Sequence, residues 1–437
     1  MGRARLLERT GLASREARAW ASYDWANSAL FTIVITAIFP VYYAQVVAGD
    51  MPEEDAKSLF LYATTASLGL SALLAPILGA HADVRGRRKT LLAAAMAVGA
   101  LATAALFLFD AGEVWPALVA FGLANLGATL SIVFYDSLLP FVARGAEDDV
   151  DRLSTAAYGL GYFGGGIALV LAALIVSKPA VFGLPSEGTL AVRTTFLVAA
   201  CWWLVFSVPI LRGVPEPPPM ATAGERRGVL AQLASTFGEL RRYPQALLVL
   251  GAFLVYNDGV VTIIRMATIF AEQRGFESTF ILGVIVAVQF VALPAAFAYG
   301  QLARRIGARP AILIGIACYG GITLVAAFMR TEAHFVALAM AVALVQGGVQ
   351  ALSRSLFASL IPPARSAEFF GLFGVAEKFA AIAGPLVLGL VIDATGDSPL
   401  AVLCLLPFFA VGAAILSRVD VDAGRAAARG APDPSRA

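Results

Sequence analysis

Charge is scarce in this sequence. Asp, Glu, Lys and Arg make up only 14% of its 437 residues, while 59% are hydrophobic and the mean hydropathy is +0.79. A soluble domain is about 25% charged and about 45–50% apolar, so a buried core cannot absorb the excess and lipid must cover the rest. There are two histidines, His81 and His334, both expected in loops far apart, so no zinc site can be assembled. The three cysteines, Cys201, Cys318 and Cys404, fall in apolar runs with neither metal-site nor disulfide spacing. They are expected to be buried structural thiols. No G-x-x-x-x-G-K-[ST] loop occurs, which excludes ATP hydrolysis by that fold. A net charge of +2 offers no basic field for nucleic acid. No cofactor is implied. The segment Met1–Trp20 is basic and amphipathic, without a cleavable apolar core, so the first span is expected to act as its own insertion signal.

Long apolar runs are plentiful. About 20 mainly apolar residues cross a bilayer as a helix, and twelve such runs lie near 25–47, 58–80, 90–109, 115–141, 153–176, 192–212, 245–271, 279–302, 309–329, 335–361, 367–392 and 399–417. They are continuous, without the alternation of a barrel strand, so spans 1 to 12 are predicted as helices. With the N-terminus in the cytoplasm, 24 of the 32 basic residues fall in cytoplasmic segments. Only Lys57, Lys178, Arg193, Arg274 and Arg330 fall outside, and Arg265, Arg354 and Lys378 fall within spans. This bias predicts both chain ends in the cytoplasm. The longest hydropathy break, 213–244, holds Pro215, Pro217, Pro218 and Pro219 and then the amphipathic stretch Gly228–Tyr243. The expected organisation is a cytoplasmic segment at 1–24, a six-helix bundle at 25–212, a linker with a surface helix at 213–244, a second six-helix bundle at 245–418, and a disordered cytoplasmic tail at 419–437.

The two halves echo each other. Asn27 to Val34 in span 1 resembles Asn257 to Ile264 in span 7. Ser137-Leu138-Leu139-Pro140 ends span 4 as Ser359-Leu360-Ile361-Pro362 ends span 10, and Gly79 to Gly86 matches Gly300 to Gly307. Parallel repeats of this kind place a solute site near the bilayer midplane, between the bundles. The loop Gly79-Ala-His-Ala-Asp83-Val-Arg-Gly86-Arg87-Arg88-Lys89 resembles the signature G-x-x-x-D-x-x-G-R-[RK]-[RK] of the major facilitator superfamily. There Gly79 permits close helix approach and Gly86 a tight turn. Asp83 can accept hydrogen bonds from a helix N-terminus or an arginine of the other half. Arg304 stands at the matching place after span 8, so the latch is expected to be one-sided. The span 1 entry, Tyr23-Asp24-Trp25-Ala26-Asn27-Ser28-Ala29, resembles one branch of that superfamily, the fungal vacuolar amino-acid effluxers linked to autophagy and their bacterial relatives. Phe134-Tyr135-Asp136-Ser137-Leu138-Leu139-Pro140, the glycine-rich run Tyr158 to Gly166, Asn257-Asp258-Gly259, Gln350 to Ser355, Glu368 to Gly371, Lys378 and Gly384-Pro385 continue the resemblance. It implies an all-α polytopic protein of twelve helices in two pseudo-symmetric bundles, multi-pass in the cell (inner) membrane. The implied activity is secondary active transport of a small solute by alternating access, with amino-acid export as the substrate class.

Ionisable groups inside a bilayer cost at least about 2.5–3.5 kcal/mol, so those present carry the site. Asn27, Asn257, Asp258, Arg265, Arg354, Glu377 and Lys378 are the candidate cavity residues. Asp24, Asp83, Arg87 and Asp136 are the candidate gate or cytoplasmic latch. In one reading Asp258 or Glu377 titrates or binds an amine while Arg265, Arg354 or Lys378 meets a carboxylate. In the other these charges pair with one another and lock helices, and for Arg354 and Asp136 both readings stay open. The glycines of spans 5, 10 and 11 are expected to serve packing, and Tyr42, Tyr43, Trp202 and Trp203 to face lipid or the interface. The expected partners are a small solute, the bilayer and a proton or sodium ion, with no nucleic acid, on a monomer. An enzyme is not expected, because no catalytic constellation shares one depth. A non-transporting sensor or lipid-handling protein on the same scaffold is the rival class.

Overall fold

The computed structural model describes residues 7–143, 147–220, 229–379, 383–395 and 401–430. Among them, eleven helices are long and apolar enough to cross a membrane. They are Arg15–Val47, Glu53–Arg85, Arg88–Leu108, Val114–Val142, Val150–Ser177, Leu190–Gly213, Pro244–Ile264, Thr279–Ile306, Ala308–Ala326, Glu332–Ser359 and Pro363–Leu388. They are spans 1 to 11 in order. Val402–Leu416 and Val421–Arg429, with a 59° bend between them, are long and apolar enough to cross only when taken together as a twelfth span, whose apolar part, Val402–Leu416, is span 12. Two bundles of six result, joined by the linker that carries the helix Val229–Leu240.

The first helix starts well before the first long apolar run. Ser14 caps it by accepting the Ala17 N–H at 2.9 Å. Its polar opening turns are covered by protein: Ala17, Trp20, Tyr23 and Ala26 are buried, and the Trp20 indole donates to the Tyr135 carbonyl at 2.9 Å. Farther on, span 1 widens into π-helical turns at Leu30–Ala37 and Tyr43–Val47, on either side of Pro40. Proline removes one donor from the helical ladder, and such wide turns accommodate the fault.

Small residues set the helix spacing. Span 5 runs between spans 1 and 8. A Cβ on Gly161 or Gly164 would press on Asp24 or Trp25 of span 1, and one on Gly159 or Gly166 on Leu293 or Gln289 of span 8. In spans 3 and 4, Gly99 and Gly127 meet backbone to backbone, with the Trp203 ring of span 6 over Gly99. Between the halves, span 2 lies against span 11 and span 5 against span 8.

The described N-terminal turns and the helix Val421–Arg429 lie at the face, called here the terminal face, where Arg152 at the start of span 5 donates to the Glu8 carbonyl at 2.9 Å and Arg309 at the start of span 9 donates to the Val419 carbonyl. The expected disordered tail instead forms the helix Val421–Arg429, with Asp420 capping the Ala423 N–H at 3.0 Å and the Asp420 N–H reaching Gln245 at 2.8 Å. Residues 431–437 of that tail lie outside the described residues. Three other expectations are corrected. Cys201 and Cys318 are exposed and Cys404 is partly so, since a thiol sits as readily against lipid as in a core. Tyr42, Tyr43 and Trp203 are buried, and Trp202 donates to the Trp25 carbonyl at 3.1 Å. His81 and His334 stand on helices, in spans 2 and 10. Hydropathy locates an apolar run but is blind to which of its faces meets lipid.

The contact between spans 3 and 4 can be tested directly. A Cβ at Gly127 would lie 2.6 Å from Ala95 O and Gly99 N, backbone that cannot swing aside. Gly127→Ala is expected to cost about 1–3 kcal/mol, read as a lower unfolding temperature in detergent. Gly122→Ala, on the same helix with nothing nearer than 3.9 Å, is expected to stay within about 0.5 kcal/mol of the parent.

Candidate functional site

The end of span 2 delivers Asp83 to the start of span 11. Gly79 and Gly371 allow this: a Cβ on the first would collide with the Ala367 carbonyl, and one on the second would lie 2.6 Å from Pro76 Cα. Gly86, at φ +59° in the left-handed region, ends span 2 and turns the chain into span 3. The Asp83 carboxylate accepts the N–H groups of Ala367 at 3.1 Å and Glu368 at 2.8 Å, the orphan donors at the first turn of span 11. Its ionic partner comes from its own half. Arg88, fully buried, sits 2.5 Å from Asp83 and donates to the Ala364 carbonyl at 2.9 Å. Arg87, the expected latch arginine, is exposed. The turn after Gly86 points Arg87 outward and the first turn of span 3 points Arg88 in.

A second tie lies close by. Arg354 of span 10 is 3% exposed and lies wholly among groups of the first half. Its guanidinium meets Asp136 of span 4 at 3.0 Å and Asp24 of span 1 at 3.3 Å. It also donates to the Ser154 hydroxyl at 3.0 Å and the Ser154 carbonyl at 3.1 Å, on span 5. The Ser154 hydroxyl in turn donates to the Ala351 carbonyl at 2.7 Å. The rings of Trp20, Tyr135 and Tyr158 surround the guanidinium at 5.0, 5.4 and 4.5 Å. The Tyr135 hydroxyl donates to Asp24 at 2.9 Å. Arg354 was expected in the cavity, but this geometry groups it with Asp24 and Asp136. Ser355 donates to Asp151 of span 5, and Ser366 to the Ser137 carbonyl at 2.8 Å, adding two further bonds between the halves.

The remaining candidates are spread out. Glu377 and Lys378, on span 11, pair with each other at 3.2 Å and are 38% and 21% exposed. Glu377 also lies within electrostatic range of Asp136 and Tyr158. Asp258 is buried and accepts the Gly384 N–H of span 11 at 2.9 Å, tying span 7 to span 11 next to Pro385, where the helical ladder lacks a donor. Asn257 accepts from Gln350 of span 10 at 2.5 Å. Asn27 is 5% exposed. The side chain of Arg265 lies outside the described residues.

Several partners escaped the sequence reading. Trp20 and Ser154 carry no mark of their own, and Arg88 and Ser355 stood inside motifs without being singled out. Tyr135 and Tyr158 stood inside quoted motifs, but a motif does not name its partner. The linker helix also joins the site: Thr236 donates to Glu368 at 2.6 Å, and Arg365 bridges Glu239 at 2.6 Å and Glu368 at 2.8 Å. Among the described residues, no group of acids, histidines and cysteines could hold a metal ion.

Asp83→Ala leaves Arg88 buried without its anion, a loss of about 3–5 kcal/mol. The variant is therefore expected to loosen the contact between spans 2 and 11. In a cysteine-free background, a Ser366→Cys thiol should react with a water-soluble maleimide at least about tenfold faster once Asp83 is removed, a change that needs only ~1.4 kcal/mol. An unchanged rate would show that Asp83 does not hold the halves together.

The chain resembles known proteins along nearly its whole length. Residues 13–429 match the family described as vacuole effluxer Atg22 like. An uncharacterized MFS-type transporter of Bacillus subtilis, YxiO, is 34% identical over 93% of this chain and 95% of its own. Autophagy-related protein 22 of Pyricularia oryzae is 26% identical over 85% of this chain and 66% of its own. Among solved structures, the transporter FucP in the outward conformation superposes with a TM-score of 0.70 at 16% identity, over 94% of this chain and 99% of that one. The human organic anion transporter MFSD10 gives 0.68 at 16%, over 92% and 99%. Helix count, paired bundles and family match agree, and the chain belongs to the Atg22-like vacuole effluxer family of major facilitator transporters.

Proposed function

We propose that this transporter is a secondary active carrier that moves a small zwitterionic solute of the amino-acid class outward by alternating access. In this reading it works as a monomer in the cell membrane, with the terminal face cytoplasmic. The carrying observation is the asymmetry of the polar contacts. Asp83, Arg354, Ser355 and Ser366 bind the two halves together near the terminal face, while the Glu377–Lys378 pair on span 11 stays partly exposed.

These ties form a seal made of hydrogen bonds and ion pairs, with the Trp20, Tyr135 and Tyr158 rings around its central guanidinium. The neutral hydrogen bonds break at modest cost when water replaces each partner, while the buried ion pairs resist partial opening. A carrier needs a closure of that kind, firm in one state and exchangeable in the other. Glu377 and Lys378 offer one anion and one cation side by side, the complement of an amino acid's ammonium and carboxylate. A zwitterion can replace each member of the internal pair with one of its own charges, so that neither is left bare. Asp258 in this reading supports the site by holding span 7 to span 11. The basic loops at the terminal face match the cytoplasmic bias of lysine and arginine. An ion or proton gradient, or the solute's own gradient, supplies the free energy.

Counterflow of labelled amino acids in proteoliposomes tests the assignment. Lys378→Ala is expected to lower the flux at least about tenfold, equivalent to ~1.4 kcal/mol of lost binding or barrier stabilisation. Asp258→Asn keeps an acceptor for the Gly384 N–H and removes only charge, so it is expected to fold and to show whether that charge is needed. Full flux in both variants, with folded protein, would refute the cavity assignment. Absence of flux for every amino acid in the wild type would refute the substrate class.

A further inference from the structure

The tie at Arg354 has unbalanced charge. Two carboxylates, Asp24 and Asp136, share one guanidinium at 3.3 and 3.0 Å. The Arg354 donors are committed to these oxygens and to Ser154. Among the described residues, the other groups facing the cluster do not restore neutrality. Span 1 adds Tyr23, span 4 adds Tyr135, and span 5 adds Tyr158 and Tyr162, all uncharged phenols at neutral pH. Asp151, also on span 5, is engaged by Ser355. Span 11 adds Glu377, whose charge is matched by Lys378. With both aspartates ionised, the cluster would hold one uncompensated negative charge in a largely buried site, the Asp24 and Asp136 side chains being 15% and 9% exposed, the condition under which one of two neighbouring carboxylates takes up a proton.

Resting on the alternating-access reading, we propose that the Asp24–Asp136–Arg354 cluster is the proton-binding site of the carrier, so that the seal between the halves is itself the coupling element. Opening the terminal face withdraws Arg354 with span 10 and leaves both aspartates on spans 1 and 4, now in water. There an ordinary carboxylate ionises near about pH 4, so opening releases the shared proton to that face. The O–H bond of the carboxylic acid breaks, and the proton passes to water or buffer. The sign follows: the sealed state binds the extra proton, so acid favours closure and rising pH favours opening, by about tenfold in the equilibrium constant per pH unit over the interval in which the proton is lost.

The test needs no solute. Spin labels at Thr90→Cys and Arg305→Cys, exposed positions at the start of span 3 and the end of span 8, report the separation of the halves at the terminal face. Cys201, Cys318 and Cys404 are replaced by serine. Distance distributions are recorded in lipid nanodiscs from about pH 5 to about pH 9, at fixed potassium and again with sodium substituted at each pH. The expected result is a growing long-distance population with rising pH, insensitive to sodium, that loses its pH dependence in Asp24→Asn and in Asp136→Asn. The wild-type series decides even where a variant does not fold. A distribution unchanged over the whole pH range, while Asp83→Ala displays the long-distance state, would overturn the proton site and leave alternating access standing. A response to sodium at constant pH in place of a response to pH would overturn it as well, as would an undiminished pH response in both asparagine variants. A single distance in every sample, Asp83→Ala included, would bring down the alternating-access reading, and this inference with it.

Discussion

Arg354 belongs to the second half by sequence and to the first by contact. Its charge has left water entirely, and the anions that compensate it stand on spans 1 and 4. Removing a buried ion from its partners is expensive, far more so than removing an exposed one. The two bundles therefore cannot part at this face by small degrees: the guanidinium either keeps its aspartates or is delivered to solvent. Three aromatic rings around it keep water out of the closed arrangement. A single side chain thus makes the contact between the halves at this face two-valued.

The surrounding packing serves that contact. Asp83 can reach the first turn of span 11 only because Gly79 and Gly371 bring the backbones of spans 2 and 11 together. Its two hydrogen bonds use donors that every helix leaves unsatisfied at its start, so the tie depends on where span 11 begins and little on which side chains it carries. The linker is part of the same assembly. Met220 N–H reaches the Asp83 carbonyl at 2.9 Å, and Glu216 accepts the Lys89 N–H at 3.1 Å. On the other side, Thr236 and Glu239 hold Glu368 and Arg365. A segment that only joined two domains would have no reason to touch the latch from both ends.

Much of this was legible in the chain. Twelve apolar runs gave spans whose positions survive within a few residues at most boundaries, because a bilayer sets helix length and no compact alternative exists for so little charge. The start of span 1 was misplaced because Arg15 to Asp24 read as polar. Those turns are buried by Tyr135 and Arg354, residues over a hundred positions away. The loop after span 2 revealed Asp83, but the choice between Arg87 and Arg88 depended on the turn at Gly86. The burial of Trp203 and the exposure of Cys201 lie in the same helix, and only the direction of its neighbours separates them.

By itself the sequence determined the solvent of this protein, the number and order of its membrane helices, its duplicated halves and its family, since these follow from hydropathy and from local motifs. Tertiary structure alone decided which charges meet. Spans 1, 4, 5 and 10 converge through packing between distant glycines and aromatics, and an ion pair is a property of two positions in space. No reading of one chain position at a time could tell that Arg354 would find Asp24 and Asp136, or that Asp258 would find the backbone of Gly384.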